Sequence, residues 1–389
     1  MLRYLKYLSG YDLFQKISHL GISEQKGRAF ADGKGNLVLV DTKPSLFQPL
    51  FFILDQEEIN YLFENGLFLI SLDSSHDIER LLLLAREPDV ISYLSKMRQV
   101  LENVIDVGSH ILARGRTIQL RGREPLIMGV LNVTPDSFYD GGKFNNRGSS
   151  VERALEMVEE GADIVDVGGE STRPGSFPIS AEEEMKRVIP VIEELSAGGE
   201  TIISVDTYKS EVAGEALRAG AHIVNDVSGL RLSGDMSEVV AKYRAALVIM
   251  HIKGTPNTMQ KSPYYSSLTD EILEEMELGI NLAKEGGVKK ESIILDPGFG
   301  FGKRFEDNLY LLNNLIELKT MGYPLLVGTS RKAFIGNIIG KPPDEREFGT
   351  AATVSLAVYN GANIIRVHDV KDMRDVVQVS WETRKARAC

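Results

Sequence analysis

The sequence predicts a (β/α)8 barrel preceded by a smaller α/β domain, and three observations carry that expectation. Short apolar or β-branched runs alternate with helical stretches eight times from residue 126 onward. The runs are continuously apolar rather than alternating, as strands of a parallel sheet buried on both faces must be. Most of them also finish at a polar residue that a buried core would reject, and in a barrel such ends meet at one mouth. A doubly wound open sheet is the competitor, but no phosphate-binding glycine fingerprint follows the first strand.

In chain order, the first 115 residues hold strand-like stretches at Leu37–Asp41 and Leu67–Leu72 and helical ones near Tyr11–Leu20, Gln56–Glu64 and His76–Val107. They outline a small α/β domain over 1–115 with no catalytic constellation, for which packing, dimerisation or docking is the expected role. TIQLRGREP, residues 117–125, is expected to plug the bottom of the barrel as a hairpin. The barrel, 116–389, then takes strands at 126–133 (LIMGVLNV), 164–169 (IVDVGG), 201–207 (TIISVDT) and 223–228 (IVNDVS). Four more follow at 246–251 (ALVIMH), 292–298 (SIILDPG), 324–330 (PLLVGTS) and 364–368 (IIRVH). Stretches such as Val151–Gly161, Ala181–Leu195, Ser210–Gly220, Leu268–Gly286, Asn308–Met321 and Lys371–Lys385 have helix-forming composition with apolar residues at turn spacing. Eight such units in about 270 residues fit the barrel.

Bulk properties narrow the function. A chain of 389 residues suits one large domain and a smaller one. The net charge of -11 argues against a nucleic-acid backbone as partner. Apolar runs such as Leu50–Leu54 and Leu81–Ala85 are too short to cross a bilayer, and Met1–Phe14 lacks the apolar core of a signal peptide. A cytoplasmic protein is expected. The single cysteine, Cys389, excludes a disulfide framework within one chain.

The polar strand ends are Asn132, Glu170, Asp206, Asn225 with Asp226, His251, Asp296, Ser330, and Arg366 with His368. Any one of them could be an ordinary turn or helix-cap residue; eight together make that account poor. Asp206, Asn225 and Asp296 offer acceptors and donors suited to the edge of a flat, amide-rich heterocycle. Ser330, Arg331, Lys332, Arg366 and His368 add cationic and N–H groups suited to an anion at the rim. His251 reads as a supporting or packing residue, while His19, His76, His110 and His222 carry no motif.

At these same residues the chain resembles dihydropteroate synthase. The matching stretches are MGVLNVTPDSFYDGG, DIVDVGGESTRPG, SVDTYKSEVA, VNDVSG, IMHIKGTPNTMQ, DPGFGFGK, GTSRKAFIG and IIRVHDV, one per barrel strand and in order. A lone glycine-rich loop would be weak; eight collinear matches are not. That family condenses 6-hydroxymethyl-7,8-dihydropterin diphosphate with p-aminobenzoate, releasing diphosphate, in folate synthesis.

The resemblance implies a role for each matching residue. Asp206, Asn225, Asp296 and Lys332 would bind the pterin edge, with Met250 and Arg366 against its faces. Asn132, Arg366 and His368 would contact the diphosphate, and Asn132 would ligate an accompanying Mg2+. Phe138, Thr172, Pro174, Phe299 or Phe301, Ser330 and Ala333 would surround p-aminobenzoate; Ala333 stands where a serine is often found, which removes one hydroxyl donor. Asp140, Asp206 and Lys332 are the expected catalytic residues. Asp140 lies on a first loop that Gly141 and Gly142 allow to close, and Asp136 is a turn residue. A homodimer through late barrel helices is implied as well. Two rivals are a methyltetrahydrofolate:corrinoid methyltransferase, which needs no diphosphate site and so no NVTPDSF or SRK, and a catalytically inactive pterin-binding protein.

Overall fold

The computed structural model describes residues 2–5, 20, 22–31, 37–41, 48–64, 67–105, 108–133, 146–171, 177–199, 201–255, 258–259 and 261–386. The chain forms two compact units, one of Met1–Val107 with Ile316–Gly322, the other of Gly108–Leu315 with Tyr323–Cys389. The expected division after residue 115 cuts a hairpin that the second unit keeps whole.

The first unit is built on β1 (Leu2–Leu5), β2 (Leu37–Asp41), β3 (Asn60–Glu64) and β4 (Leu67–Leu72), an antiparallel sheet in the order β1-β2-β4-β3. Side chains of β2 alternate between two apolar clusters. Leu39 joins Leu54, Phe68, Ile70 and Leu94 on one face, whereas Val38 and Val40 join Leu5, Phe30 and Leu69 on the other. Two helical expectations are corrected. The helix Gln48–Gln56 stops where Gln56–Glu64 was expected to begin, and Asn60–Glu64 is instead a strand, with Tyr61 opposite Ile70 and Leu62 opposite Leu69. Its Tyr-Leu-Phe core favours a pleated surface, and the Asn65-Gly66 pair that follows is a hairpin signature in the sequence. The stretch 76–107 divides into helices His76–Leu84 and Pro88–Ile105, because Pro88 suits a first turn and not a helix interior. The expected helix Tyr11–Leu20 lies outside the described residues except for Leu20.

In the second unit, β7 (Leu126–Asn132), β8 (Ile164–Gly168), β9 (Ile202–Asp206), β10 (Ile223–Asp226), β11 (Ala246–Met250), β12 (Ile293–Asp296), β13 (Leu326–Val327) and β14 (Ile364–Val367) form one parallel sheet. The hydrogen-bonded order is β12-β11-β10-β9-β8-β7-β14-β13, and a parallel bridge between Leu295 and Leu325 joins its two ends. The sheet is therefore a closed eight-stranded barrel, as predicted. Helices cover it, among them Ala181–Ala197, Ser210–Ala219, Leu268–Glu285, Glu347–Tyr359 and Val370–Ala386. The expected helix Asn308–Met321 is a helix Phe305–Asn313 followed by a 3-10 segment Leu315–Met321.

The amino-terminal ends of the strands are sealed by a hairpin of β5 (His110–Ala113) and β6 (Arg116–Gln119). Both residues of its turn, Arg114 and Gly115, have positive φ, 47° and 79°, which gives the twist that a two-residue hairpin turn needs. Ile111, Ala113, Ile118 and Leu120 pack in one cluster with Leu126, Ile164, Ile223, Ala246, Ile294 and Ile364, the strand starts. The plug expected from TIQLRGREP thus extends upstream to residue 110. We predict that Ile118→Ala lowers stability by about 2 to 4 kcal/mol, the loss of a packed branched side chain plus the cavity left behind. Chemical denaturation of the barrel transition measures it, and a loss under about 1 kcal/mol would show the hairpin to be decoration.

Candidate active site

Parallel pairing brings the carboxyl ends of the strands to one rim. Asn132 lies beside Gly168, Gly168 beside Asp206, Asp206 beside Asn225, and Met250 beside Asp296. Asp206, Asn225, Met250, Asp296, Lys332, Arg366 and Phe301 line a single pocket there. Residues scattered over 160 positions from Asp206 to Arg366 are thus gathered by the barrel alone.

A buried charge cluster forms the base of the site. The Arg366 guanidinium donates from Nε to Asp166 Oδ2 at 2.7 Å and from Nη2 to Asp206 Oδ2 at 2.6 Å. Asn225 Nδ2 also donates to Asp166 Oδ2, at 3.0 Å. Asp166, fully buried, was not singled out from the sequence. Its signal was there all the same: an aspartate inside the apolar run IVDVGG must find a cation or be very costly. Asn225 Oδ1 and Asp166 Oδ1 are both buried without a hydrogen-bond partner, which in a folded protein calls for an explanation such as a ligand.

The field of the cluster sets the ionisation of its members. Burial pushes the Asp206 carboxyl above the usual range, against the pull of the Arg366 charge. Asp296 is likewise raised by burial, opposed by the Gly298 N–H and by the Lys332 charge. Burial and then Arg366 hold the Lys332 ammonium down to about 8, which leaves it mostly protonated at neutral pH. Its Nζ stands 4.2 Å from the centre of the Phe301 ring, a cation on an aromatic face.

The wall beside Asp296 is a glycine-rich loop stapled from beneath. Asp296 Oδ1 accepts from Gly298 N at 2.7 Å. Gly298 has φ of +68°, and a side chain there would meet His251 O at 2.0 Å. The buried Lys303 donates to Gly298 O at 2.9 Å and Phe301 O at 3.3 Å and lies 2.9 Å from His251 Nδ1. Burial lowers its ammonium to about 7. Tyr265 adds a hydrogen bond to Gly302 O at 2.7 Å. His251 is therefore a supporting residue, and Lys303, missed in the sequence, has a structural task that its place at the end of DPGFGFGK could have suggested. Phe299 is buried, 6.3 Å from the Phe334 ring, whereas Phe301 is partly exposed in the pocket.

At the rim, Ser330 Oγ lies 2.9 Å from His368 Nδ1, and burial with the neighbouring Arg366 and Arg331 charges holds the imidazole down to about 3. His368 is accordingly neutral near pH 7, a donor or acceptor rather than a cation. Arg331 is turned away into an ion pair with Asp369. Ala333 is exposed and opens a short helix, with Lys332 at the position before it making no side-chain cap. Glu170 accepts from Tyr208 Oη at 2.7 Å, Lys209 Nζ at 2.5 Å and Ile179 N at 3.2 Å, and Lys209 also reaches buried Glu184 at 2.5 Å. This strand end anchors both flanks of the second loop. Phe138, Asp140, Thr172 and Pro174 lie outside the described residues. Asn132 is half-buried at the end of β7 with its amide oxygen near Gly168. Among the described residues no group of three or more His, Cys, Asp or Glu side chains could hold a metal, and no helix is long and apolar enough to cross a membrane.

Comparison with known proteins agrees with this geometry. Residues 128–368 match the family of pterin binding enzymes. The dihydropteroate synthase of Synechocystis sp. is 46% identical over 267 residues, 68% of this chain and 92% of that protein. The crystal structure of Yersinia pestis dihydropteroate synthase with a sulfonamide drug complex superposes with a TM-score of 0.67 at 43% identity, over 71% of this chain and 99% of the other. Xanthomonas albilineans dihydropteroate synthase with 4-aminobenzoic acid gives 0.67 at 42% identity, over 72% and 99%. An eight-stranded barrel, an Asp-Arg-Asp cluster at its mouth and identity of this extent have one reading: the chain belongs to the dihydropteroate synthases, within the family of pterin binding enzymes.

Proposed function

We propose that the chain is a transferase of folate synthesis that joins 6-hydroxymethyl-7,8-dihydropterin diphosphate to p-aminobenzoate, giving 7,8-dihydropteroate and diphosphate. The observation that carries the reading is the buried Asn225 acceptor without a hydrogen-bond partner, which lines one pocket with Asp206, Asp296, Lys332 and Arg366, a set suited to a heterocycle edge. Kinship with the dihydropteroate synthases supports it, and the Xanthomonas albilineans relative is solved with 4-aminobenzoic acid.

In the reaction the C–O bond of the pterin methylene breaks, diphosphate takes the electron pair, and the aryl amine nitrogen bonds to the same carbon and then loses a proton. Positive charge develops over the pterin as the anion departs. Asp206, fixed by Arg366 at 2.6 Å, stands where a preorganised carboxylate offsets that charge without reorganising. Asp140 joins it from the first loop as that loop closes. Asp296, Asn225 and Lys332 hold the ring edge, with Met250 and Arg366 on its faces. Arg366 and neutral His368 receive the diphosphate oxygens. Phe138, Thr172, Pro174, Phe301, Ser330 and Ala333 enclose p-aminobenzoate.

Magnesium prefers oxygen ligands and retains several waters. Asn132 is the residue this chain offers it, and with no acidic cluster among the described residues the fit is to an ion completed by phosphate oxygens and water. Bound there, it would neutralise diphosphate charge. A homodimer is supported by exposed apolar side chains on the late helices, Phe348 at 81%, Val379 at 67%, Ile338 at 57% and Leu356 at 51%, more than isolated surface residues would need. The enzyme is placed in the cytoplasm, where a chain with one cysteine needs no disulfides.

Incubation with both substrates and magnesium is expected to release diphosphate in step with dihydropteroate. Absence of release with p-aminobenzoate or a related arylamine leaves a pterin-binding protein without this chemistry. In a variant series, Asp296→Asn should weaken pterin binding by about 2 to 4 kcal/mol, since the amide presents a donor where an acceptor is needed. Asp206→Ala should lose affinity and turnover together. Asp140→Ala should keep pterin affinity while turnover falls about 10²- to 10³-fold; normal turnover would reduce the first loop to a lid. Sedimentation should give a dimer mass that Phe348→Glu shifts to monomer, and a monomeric wild-type chain would refute that surface.

A further inference from the structure

The barrel has a second cavity, of 220 Å³, at the strand ends opposite the active site, where the β5–β6 turn meets the segments leading into β11 and β12. Leu112, Ala245 and Val288 supply apolar wall, and Arg116, Arg244 and Lys289 supply three cationic side chains. All three are solvent-exposed, and none of them is ion-paired among the described residues. Among the described residues Arg116 donates to a carbonyl, Gly199 O. Arg114 adds a fourth positive charge nearby, its guanidinium 3.5 Å from Ala221 O. The half-buried His222 imidazole feels these charges: burial, then Arg116 and Arg114, hold it down to about 4. In a chain of net charge -11, three cationic side chains line this one apolar hollow.

Backbone geometry adds a separate observation. Arg244 closes the helix Met236–Tyr243 in the left-handed conformation, φ 53° and ψ 35°, a position where glycine is the usual residue. A side-chain-bearing residue is strained there. The carbonyl of Arg244 is held by Arg114 N at 2.7 Å, so turn and hairpin are locked together at the cavity edge. The strained position keeps a guanidinium at the hollow that glycine would not provide.

We propose that this floor cavity binds a small organic anion, an apolar body bearing one carboxylate or phosphate. Apolar walls favour the body and the cations beside them the oxyanion, with arginine suited to either headgroup. The volume is below that of a drug-sized site, about 300 Å³ or more, and so restricts the body to one or two rings.

Calorimetric titration of the full chain with 2-naphthoate, 2-naphthyl phosphate, 2-naphthamide and inorganic phosphate tests the site. Two variants accompany it: Arg116→Gln with Arg244→Gln, which removes charge, and Ala241→Trp, which fills the hollow from a lining position. At least one naphthyl anion should bind, naphthamide and inorganic phosphate at least about tenfold more weakly, and both variants should lose about tenfold or more while diphosphate release stays within about twofold. The stronger naphthyl anion names the headgroup. Naphthyl anion binding unchanged in both variants would place it at the mouth, and naphthamide binding as well as naphthoate would make the hollow merely apolar; either result overturns the proposal, as does no anion binding at all.

Discussion

The half-buried guanidinium of Arg366, set against the fully buried Asp166, imposes the condition that the barrel's mouth must satisfy. A cation withdrawn from water is tolerable only with carboxylates in contact, and leaving one partner unpaired costs about 3 to 5 kcal/mol. Arg366 on β14 finds them on β8 and β9, across β7, so its two bonds tie together strands that are not neighbours in the sheet. Asp296 and Lys332 stand close enough to shift one another. An electrostatic site of that kind works only where water is scarce, which is why the opposite end of the barrel must be packed by Ile111, Ile118 and their neighbours.

Around this centre the loops are fixed by polar groups as well as by apolar contact. Lys303 serves the glycine loop and the Glu170, Lys209 and Glu184 group serves the second loop, each meeting main-chain atoms as well as side chains. Such networks add little net stability but define one arrangement, because a half-satisfied member is expensive. Gly298 shows the tolerance left: its neighbour carbonyl lies where a methyl group would have to go. The positions that face substrate are therefore held by residues that need not touch it.

Much of this was legible from one sequence. The eight apolar runs located all eight strands, because a strand buried on both faces has a composition little else shares, and their polar ends gave Asn132, Asp206, Asn225, Asp296, Ser330, Arg366 and His368. Asp166 escaped because it sits inside a run rather than at its end, although the same burial argument applies to it. Asn60–Glu64 was misread as helical because five residues carry too little periodicity, and its pairing with β4 decides the matter. The floor cavity left no sequence trace: Arg116, Arg244 and Lys289 come from three separate turns, and only the closed sheet brings them together. For Phe138, Asp140, Thr172 and Pro174 the sequence alone speaks.

The strands themselves are short. β9 starts with Ile202, which packs against the floor cluster, and ends with Asp206 in the pocket, four steps and about 13 Å apart at the usual rise. Every side chain along it is committed to inside or outside by the pleat. Adding or deleting one residue would turn Asp206 out of the pocket and drive an apolar neighbour into it, and parallel pairing would pass the slip to β8 and β10. Descendants of this chain can lengthen or shorten only between the strands, so variation in length is confined to the loops that meet the substrates and the turns beneath them, while the distance separating the two ends of the barrel stays invariant.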